Sequence, residues 1–177
     1  MQSVHKLFLI PAAISSVRIS ALPLFVLFYD EGAFLLCIAL LCCAATTDLL
    51  DGYLARKLNA TSRFGAYYDA ATDYVLIMGI FTVFSAKGFY PAWLPVLITA
   101  AFVQFIISSL YGKKFFDPIG RYIGSALFFG IALTLLSPAQ VTFSFVQYAF
   151  IGFFALSLGS RIVSFLKKGN EPQKLNL

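Results

Sequence analysis

Six apolar stretches, at 15–30, 32–56, 63–86, 91–111, 119–137 and 142–166, follow one another with only short polar links between them. Each is close to the roughly 20 residues a helix needs to cross a hydrocarbon core. In lipid, a spanning segment must satisfy its backbone polar groups internally, so stretches of this kind fold as packed helices. The pattern predicts an all-α integral membrane protein. It places a six-helix transmembrane domain at 15–166, a short surface helix at 1–14 ahead of it, and a polar tail at 167–177. A chain of 177 residues that is 60% hydrophobic and 12% charged has no room for an appended soluble domain. A secretory signal does not fit the start, because Pro11, Arg18 and Pro23 interrupt the apolar run. Lys6 ahead of Leu7-Phe8-Leu9-Ile10 suits a helix lying on the membrane surface.

Orientation follows from the basic residues. With both termini cytoplasmic, the cytoplasmic side collects Lys6, Arg18, Arg56, Lys57, Arg63, Lys113, Lys114, Arg121, Arg161, Lys167, Lys168 and Lys174. Only Lys87 falls on the far side, beside the acidic Asp30-Glu31 turn. This is a strong positive-inside signature. It accounts for the net charge of +5 without nucleic acid, and the basic rim favours anionic lipid headgroups. Cys37, Cys42 and Cys43 lie in the second stretch without metal-ligand spacing, and the lone His5 sits in the surface segment. The cysteines are therefore expected to pack, not to hold a metal.

The chemistry is concentrated between Asp48 and Asp73, where four carboxylates and an arginine interrupt apolar helix. Ionisable groups at such depth are costly and mark functional sites. Asp48 and Asp51 are one helical turn apart, with Ala55 four beyond, so the three share a face; Gly65, Asp69 and Asp73 step by four along the next helix. The polar link 57–62 makes the two helices antiparallel neighbours, which turns their carboxylate faces towards each other around a pocket open to the cytoplasm. Four ionised carboxylates would repel one another unless they shared protons or bound cations. Oxygen donors without Cys or His select Mg2+, then Mn2+ or Ca2+. Two divalent ions match the formal charge and suit in-line displacement at phosphorus. Gly52, Ala55 and Gly65 leave room beside the carboxylates, and Arg56 supplies a cation for a phosphate oxygen.

Asp48-x2-Asp51-Gly52-x2-Ala55-Arg56-x8-Gly65-x3-Asp69-x3-Asp73 resembles the signature of the CDP-alcohol phosphotransferase family at every fixed position. The stretch Ile10-Pro11 through Arg18 to Pro23-Leu24-Phe25 is similar to the entry into that family's first helix. The resemblance implies a six-helix membrane enzyme that moves a phosphatidyl-type group from a CDP-linked lipid to an alcohol, releasing CMP, with a divalent metal. It implies Asp48, Asp51, Asp69 and Asp73 as the metal shell, with Asp73 also the general base. Gly52, Ala55 and Gly65 would border the cytidine nucleotide and Arg56 a phosphate. It also allows a homodimer.

For a phosphorylated acceptor, Arg121, Lys113 and Lys114 are the expected anion site, with Arg18 and Arg63 next. Glycerol 3-phosphate is the preferred acceptor, then inositol phosphate, then serine or another unphosphorylated alcohol. Glycerophosphate-type members often carry Asp-Pro-x-Ala-Asp-Lys, whereas this chain has Asp69-Ala-Ala-Thr-Asp73-Tyr74. A cation or proton transporter using the same acids would need a polar path across the membrane. The far halves of the stretches offer mostly Phe, Leu, Ile and Ala. A silent scaffold that only binds nucleotide or lipid fits poorly with the intact acid set. The small residues Gly120, Gly124 and Ser125 are expected to serve helix packing.

Overall fold

The computed structural model describes residues 18–57, 63–110 and 122–169; at 48, 49, 51–56, 63, 64, 66, 108–110, 161 and 163–169 only the backbone is described. Six helices and no strand occur among these residues: α1 (18–30), α2 (Phe34–Lys57), α3 (Arg63–Ala86), α4 (Trp93–Leu110), α5 (Ile123–Leu136) and α6 (Gln140–Gly169). The expected all-α class and the element order hold, and the boundaries of α3 coincide with the expected stretch. The surface helix at 1–14 and most of the tail lie outside the described residues.

Among the described residues, two segments, Tyr67–Ala86 and Gln140–Ser160, are long and apolar enough to cross a membrane; Phe34–Thr47, Trp93–Ile107 and Ile123–Leu136 are apolar but shorter. The six-span count therefore meets the length criterion only in part. α5 ends ahead of Pro138, which disfavours helix in the residue before it.

α1 and α3 lie side by side and run the same way. Each ends in a glycine cap of one kind. Gly32 has φ 73° and Gly88 φ 81°, a conformation glycine adopts without a Cβ penalty. Ala33 N–H donates to Phe28 O and Gly32 N–H to Tyr29 O, while Phe89 N–H donates to Phe84 O and Gly88 N–H to Ser85 O. These are paired Schellman closures that satisfy the last carbonyls of each helix. Lys87 Nζ donates to Asp30 Oδ1 at 2.7 Å beside the two caps. Both partners are about half exposed, so the pair adds little stability.

Beneath these caps is a cluster of rings. Phe84 meets Phe25, Tyr29, Phe81, Phe89 and Tyr90 at centroid distances of 5.6–6.2 Å. Phe89 stacks on Phe143 of α6 at 4.8 Å. Phe25, Phe81, Phe84 and Tyr90 are all buried. The Tyr90 hydroxyl is paired with Thr134 Oγ1 at 2.6 Å, and Thr134 donates to Gly130 O at 2.7 Å. This end of the bundle is packed with rings.

Closer to the acids the packing changes. α3 packs on α4 and α5, α2 on α5, and α5 on α6. α5 and α6 approach closely at Gly130, where a Cβ would lie 2.8 Å from Val146 Cγ1. Gly124 does not take the packing role expected of it. A Cβ there would meet nothing within 4 Å, and Gly124 and Ser125 instead border a cavity.

Candidate active site

That cavity, of about 630 Å³, is bordered by α2, α3, α4 and α5. From α2 it is bordered by Ala44 and Ala45, and from α3 by Ala70, Asp73, Tyr74 and Ile77. α2 and α3 both contribute to its lining, together with α4 and α5. Small side chains and glycine make the room: Ala44, Ala45, Ala70, Ala101, Gly124 and Ala132 all stand on its wall. The rest is largely apolar, with Phe102, Phe105, Phe128 and Phe129 among its bulky members.

Asp73 is the acid the description brings to this wall, and its side chain is about one third exposed. Asp69, one turn earlier on the same face of α3, is partly exposed and does not border the cavity. Thr72, buried between them, donates to Asp69 O at 2.8 Å, a bond of the kind serine and threonine make within helices. Gly65 is partly buried two turns before Asp73. Positions 48, 51 and 55 continue the face of α2 that starts at Ala44, by the 3.6-residue period. The side chains of Asp48, Asp51 and Arg56, and the surroundings of Gly52 and Ala55, are outside the described set, as is the Arg63 side chain. Lys113, Lys114 and Arg121 lie in the undescribed segment 111–121.

Two features were not foreseen in the sequence. The first is the ring beside Asp73. Tyr74 stacks on Phe102 of α4 with centroids 4.1 Å apart and planes 9° from parallel. Its hydroxyl is paired with Thr99 Oγ1 at 2.9 Å, and Thr99 donates to Pro95 O. The tyrosine that stands where related signatures carry lysine is thus a fixed wall of the cavity. Period alone does not distinguish such a residue from core. The second is Arg18, named only as a reserve phosphate ligand. It is only 2% exposed and donates from Nη1 to Asp73 Oδ1 at 2.8 Å. A single arginine inside the first apolar stretch was the available signal, since a buried charge must find a partner.

Asp69 and Asp73 stand one turn apart on α3, one beside the cavity and one on its wall, and their carboxylate oxygens are the donor type a hard divalent cation takes. Among the described residues no group of three His, Cys, Asp or Glu side chains forms a metal site by itself.

The model of the CDP-alcohol phosphatidyltransferase family matches residues 8–160, most of the chain and all four acids. The chain belongs to that family. It is 37% identical over 119 residues to a CDP-diacylglycerol--glycerol-3-phosphate 3-phosphatidyltransferase of Pectobacterium atrosepticum, covering 64% of this chain and 63% of the relative. Proteins of the same name from Sodalis glossinidius and Yersinia enterocolitica are each 35% identical over 116 residues, covering 63% of this chain and 62% of the relative. The match spans a little under two thirds of the length of these curated relatives. No solved structure matches the chain significantly.

Proposed function

We propose that this chain is a membrane-embedded transferase of phospholipid synthesis, moving the phosphatidyl group of a CDP-linked lipid to the hydroxyl of glycerol 3-phosphate and releasing CMP. The observation that carries the reading is the position of Asp73. The last acid of the eight-position pattern stands on the wall of a largely apolar cavity bordered by α2, α3, α4 and α5. A carboxylate beside apolar surface suits a substrate with a charged head and hydrocarbon chains. The names of the relatives favour glycerol 3-phosphate over inositol phosphate or serine.

In this reading Asp73 accepts the proton of the acceptor hydroxyl. The acceptor oxygen bonds to the phosphorus that carries the lipid, and the bond from that phosphorus to the CMP oxygen breaks. Asp48, Asp51, Asp69 and Asp73 would hold two Mg2+ or Mn2+ ions, whose chemistry is to neutralise phosphate charge and orient an in-line displacement. Arg56 would hold a phosphate oxygen, with Gly52, Ala55 and Gly65 beside the nucleotide. Arg121, Lys113 and Lys114 would take the acceptor phosphate, with Arg63 in reserve. The six helices would span the membrane with both termini and the acid cluster on the cytoplasmic side, and the chain would act as a homodimer. The apolar helices and the one-sided basic residues support that placement.

The test is an acceptor panel with purified protein, CDP-diacylglycerol and Mg2+, reading CMP release. Release is expected with glycerol 3-phosphate and not with inositol phosphate or serine. Release with one of the others alone would reassign the acceptor; release with none would overturn the transferase reading. Asp73→Asn should slow turnover by about 10²–10⁴-fold while the CDP-lipid still binds, as loss of a general base predicts.

A further inference from the structure

We infer that Arg18 is a positioning residue for Asp73, holding one carboxylate oxygen from behind the cavity wall so that the acid keeps a fixed orientation towards the substrate space. The inference rests on the proposed role of Asp73 and adds to it a residue outside the eight-position pattern.

Asp73 borders the cavity and Arg18 does not, although its Nη1 lies 2.8 Å from Asp73 Oδ1. The guanidinium is 2% exposed, whereas the carboxylate is 35% exposed. The arginine therefore stands on the protein side of the acid, and a substrate in the cavity meets Asp73 first. A charge-assisted bond of this length holds a carboxylate rotamer more firmly than a neutral contact.

α1 is also indexed to α3 along its length, which presets where Arg18 sits. A Cβ on Gly79 would come within 2.4 Å of Leu22 Cδ2, so the two helices approach closely there. Further on, Phe25 packs edge-on against Phe84 at 6.2 Å. Lys87–Asp30 closes the far end. The Arg18–Asp73 contact is thus the acid-side end of a registered seam, and the helix ahead of the eight-position pattern becomes part of the reacting unit.

A purely structural clamp would predict loss of stability and nothing else, so the experiment separates the two. Arg18→Gln, Arg18→Lys, Asp73→Asn and the seam control Lys87→Ala are purified in detergent. Each is measured for kcat, both KM values, Tm and affinity for Mn2+ alone. Arg18→Gln is expected to lower kcat about 10- to 100-fold, the size of one lost charge-assisted hydrogen bond. Its acceptor KM should stay within about threefold and its Mn2+ affinity should weaken, since losing a positioning partner typically costs 10–100-fold in metal affinity or activity. Arg18→Lys should fall between Arg18→Gln and the unaltered protein, because an ammonium reproduces the charge but not the planar fork. Lys87→Ala should leave kcat unchanged.

Wild-type kcat and Mn2+ affinity in Arg18→Gln would overturn the inference. So would a raised acceptor KM at unchanged kcat, which would make Arg18 a phosphate ligand. If Arg18→Gln does not fold, Arg18→Lys decides: reduced kcat at unchanged Tm supports positioning, and wild-type kcat removes it. Failure of the underlying reading looks different, because then Asp73→Asn itself retains turnover.

Discussion

Two glycines of α5 should respond oppositely to the same substitution. Gly124 borders the cavity and a Cβ there meets nothing within 4 Å, whereas at Gly130 it lies 2.8 Å from Val146 Cγ1. Replacing a helical glycine by alanine is worth roughly 0.5–1 kcal/mol in backbone entropy where there is space. Gly124→Ala should therefore raise stability by about that amount, or roughly 1–4 °C in Tm for a chain of this size. At Gly130 the same gain is opposed by about 1–3 kcal/mol of overpacking, because the β-branched Val146 cannot swing aside freely. The net is a loss of up to about 2 kcal/mol, or up to roughly 8 °C. Function should divide the other way. Gly124→Leu puts a side chain into the substrate space, and since even one methylene in an apolar pocket is worth 10- to 200-fold, the donor KM should rise at least ~10-fold. Gly130→Ala should leave both KM values unchanged below its Tm. The assay is thermal unfolding in detergent beside initial rates of CMP release. Wild-type donor kinetics in Gly124→Leu would refute the assignment of the cavity to the lipid donor. A selective kinetic defect in a fully stable Gly130→Ala would refute the division of roles along α5.

Three further outcomes are expected. A chelator should abolish CMP release and Mg2+ or Mn2+ should restore it; full turnover after exhaustive metal removal would end the two-metal reading. Arg121→Ala, and to a smaller extent Lys113→Ala and Lys114→Ala, should raise the acceptor KM by ~10- to 150-fold with little change in the donor KM, as loss of a charge-assisted hydrogen bond predicts. Thr134→Val should cost more in unfolding free energy than Tyr90→Phe. The first strands a buried phenol, at about 1–3 kcal/mol, while the second leaves Thr134 bonded to Gly130 O and costs about 1 kcal/mol.

The parts of this molecule that are periodic were legible in its sequence. Apolar runs bounded by glycine, proline and charge located all six helices, and the boundaries of α3 coincide with the expected ones because Arg63 and the Gly88 cap punctuate it at both ends. The acids were legible because they contradict their surroundings. What could not be read is pairing across the chain. Arg18 and Asp73 are 55 residues apart, and Tyr74 and Thr99 are 25 apart. No local period specifies such contacts. Gly124 was misassigned for the same reason. A small residue on a helix face signals close approach, but whether a neighbouring helix or an empty space approaches depends on residues elsewhere, here Ala44, Ala101 and Phe128.

The two ends of the bundle solve opposite problems, and α3 carries both. From Tyr74 towards Ala86 its inward residues are large: Leu76, Ile80, Phe81 and Phe84 are fully buried, and the rings around Phe84 tie it to α1, α6 and the 87–92 link. From Asp73 back towards Gly65 come the two acids, small residues and the pair Tyr67-Tyr68, and Asp73 and Ala70 border a cavity that α2, α4 and α5 also line. A carboxylate cluster cannot itself be the core that orders it, because its members repel one another. Order has to be imported from the packed end, through rigid helices in fixed register. α1 imports it directly: its register against α3 is set at Gly79 and Phe84, and Arg18 delivers that register to Asp73 as a single 2.8 Å contact. A loosening of the ring cluster, by Phe84→Ala for example, should therefore be felt at the acid end as lost turnover at temperatures where the helices are still formed.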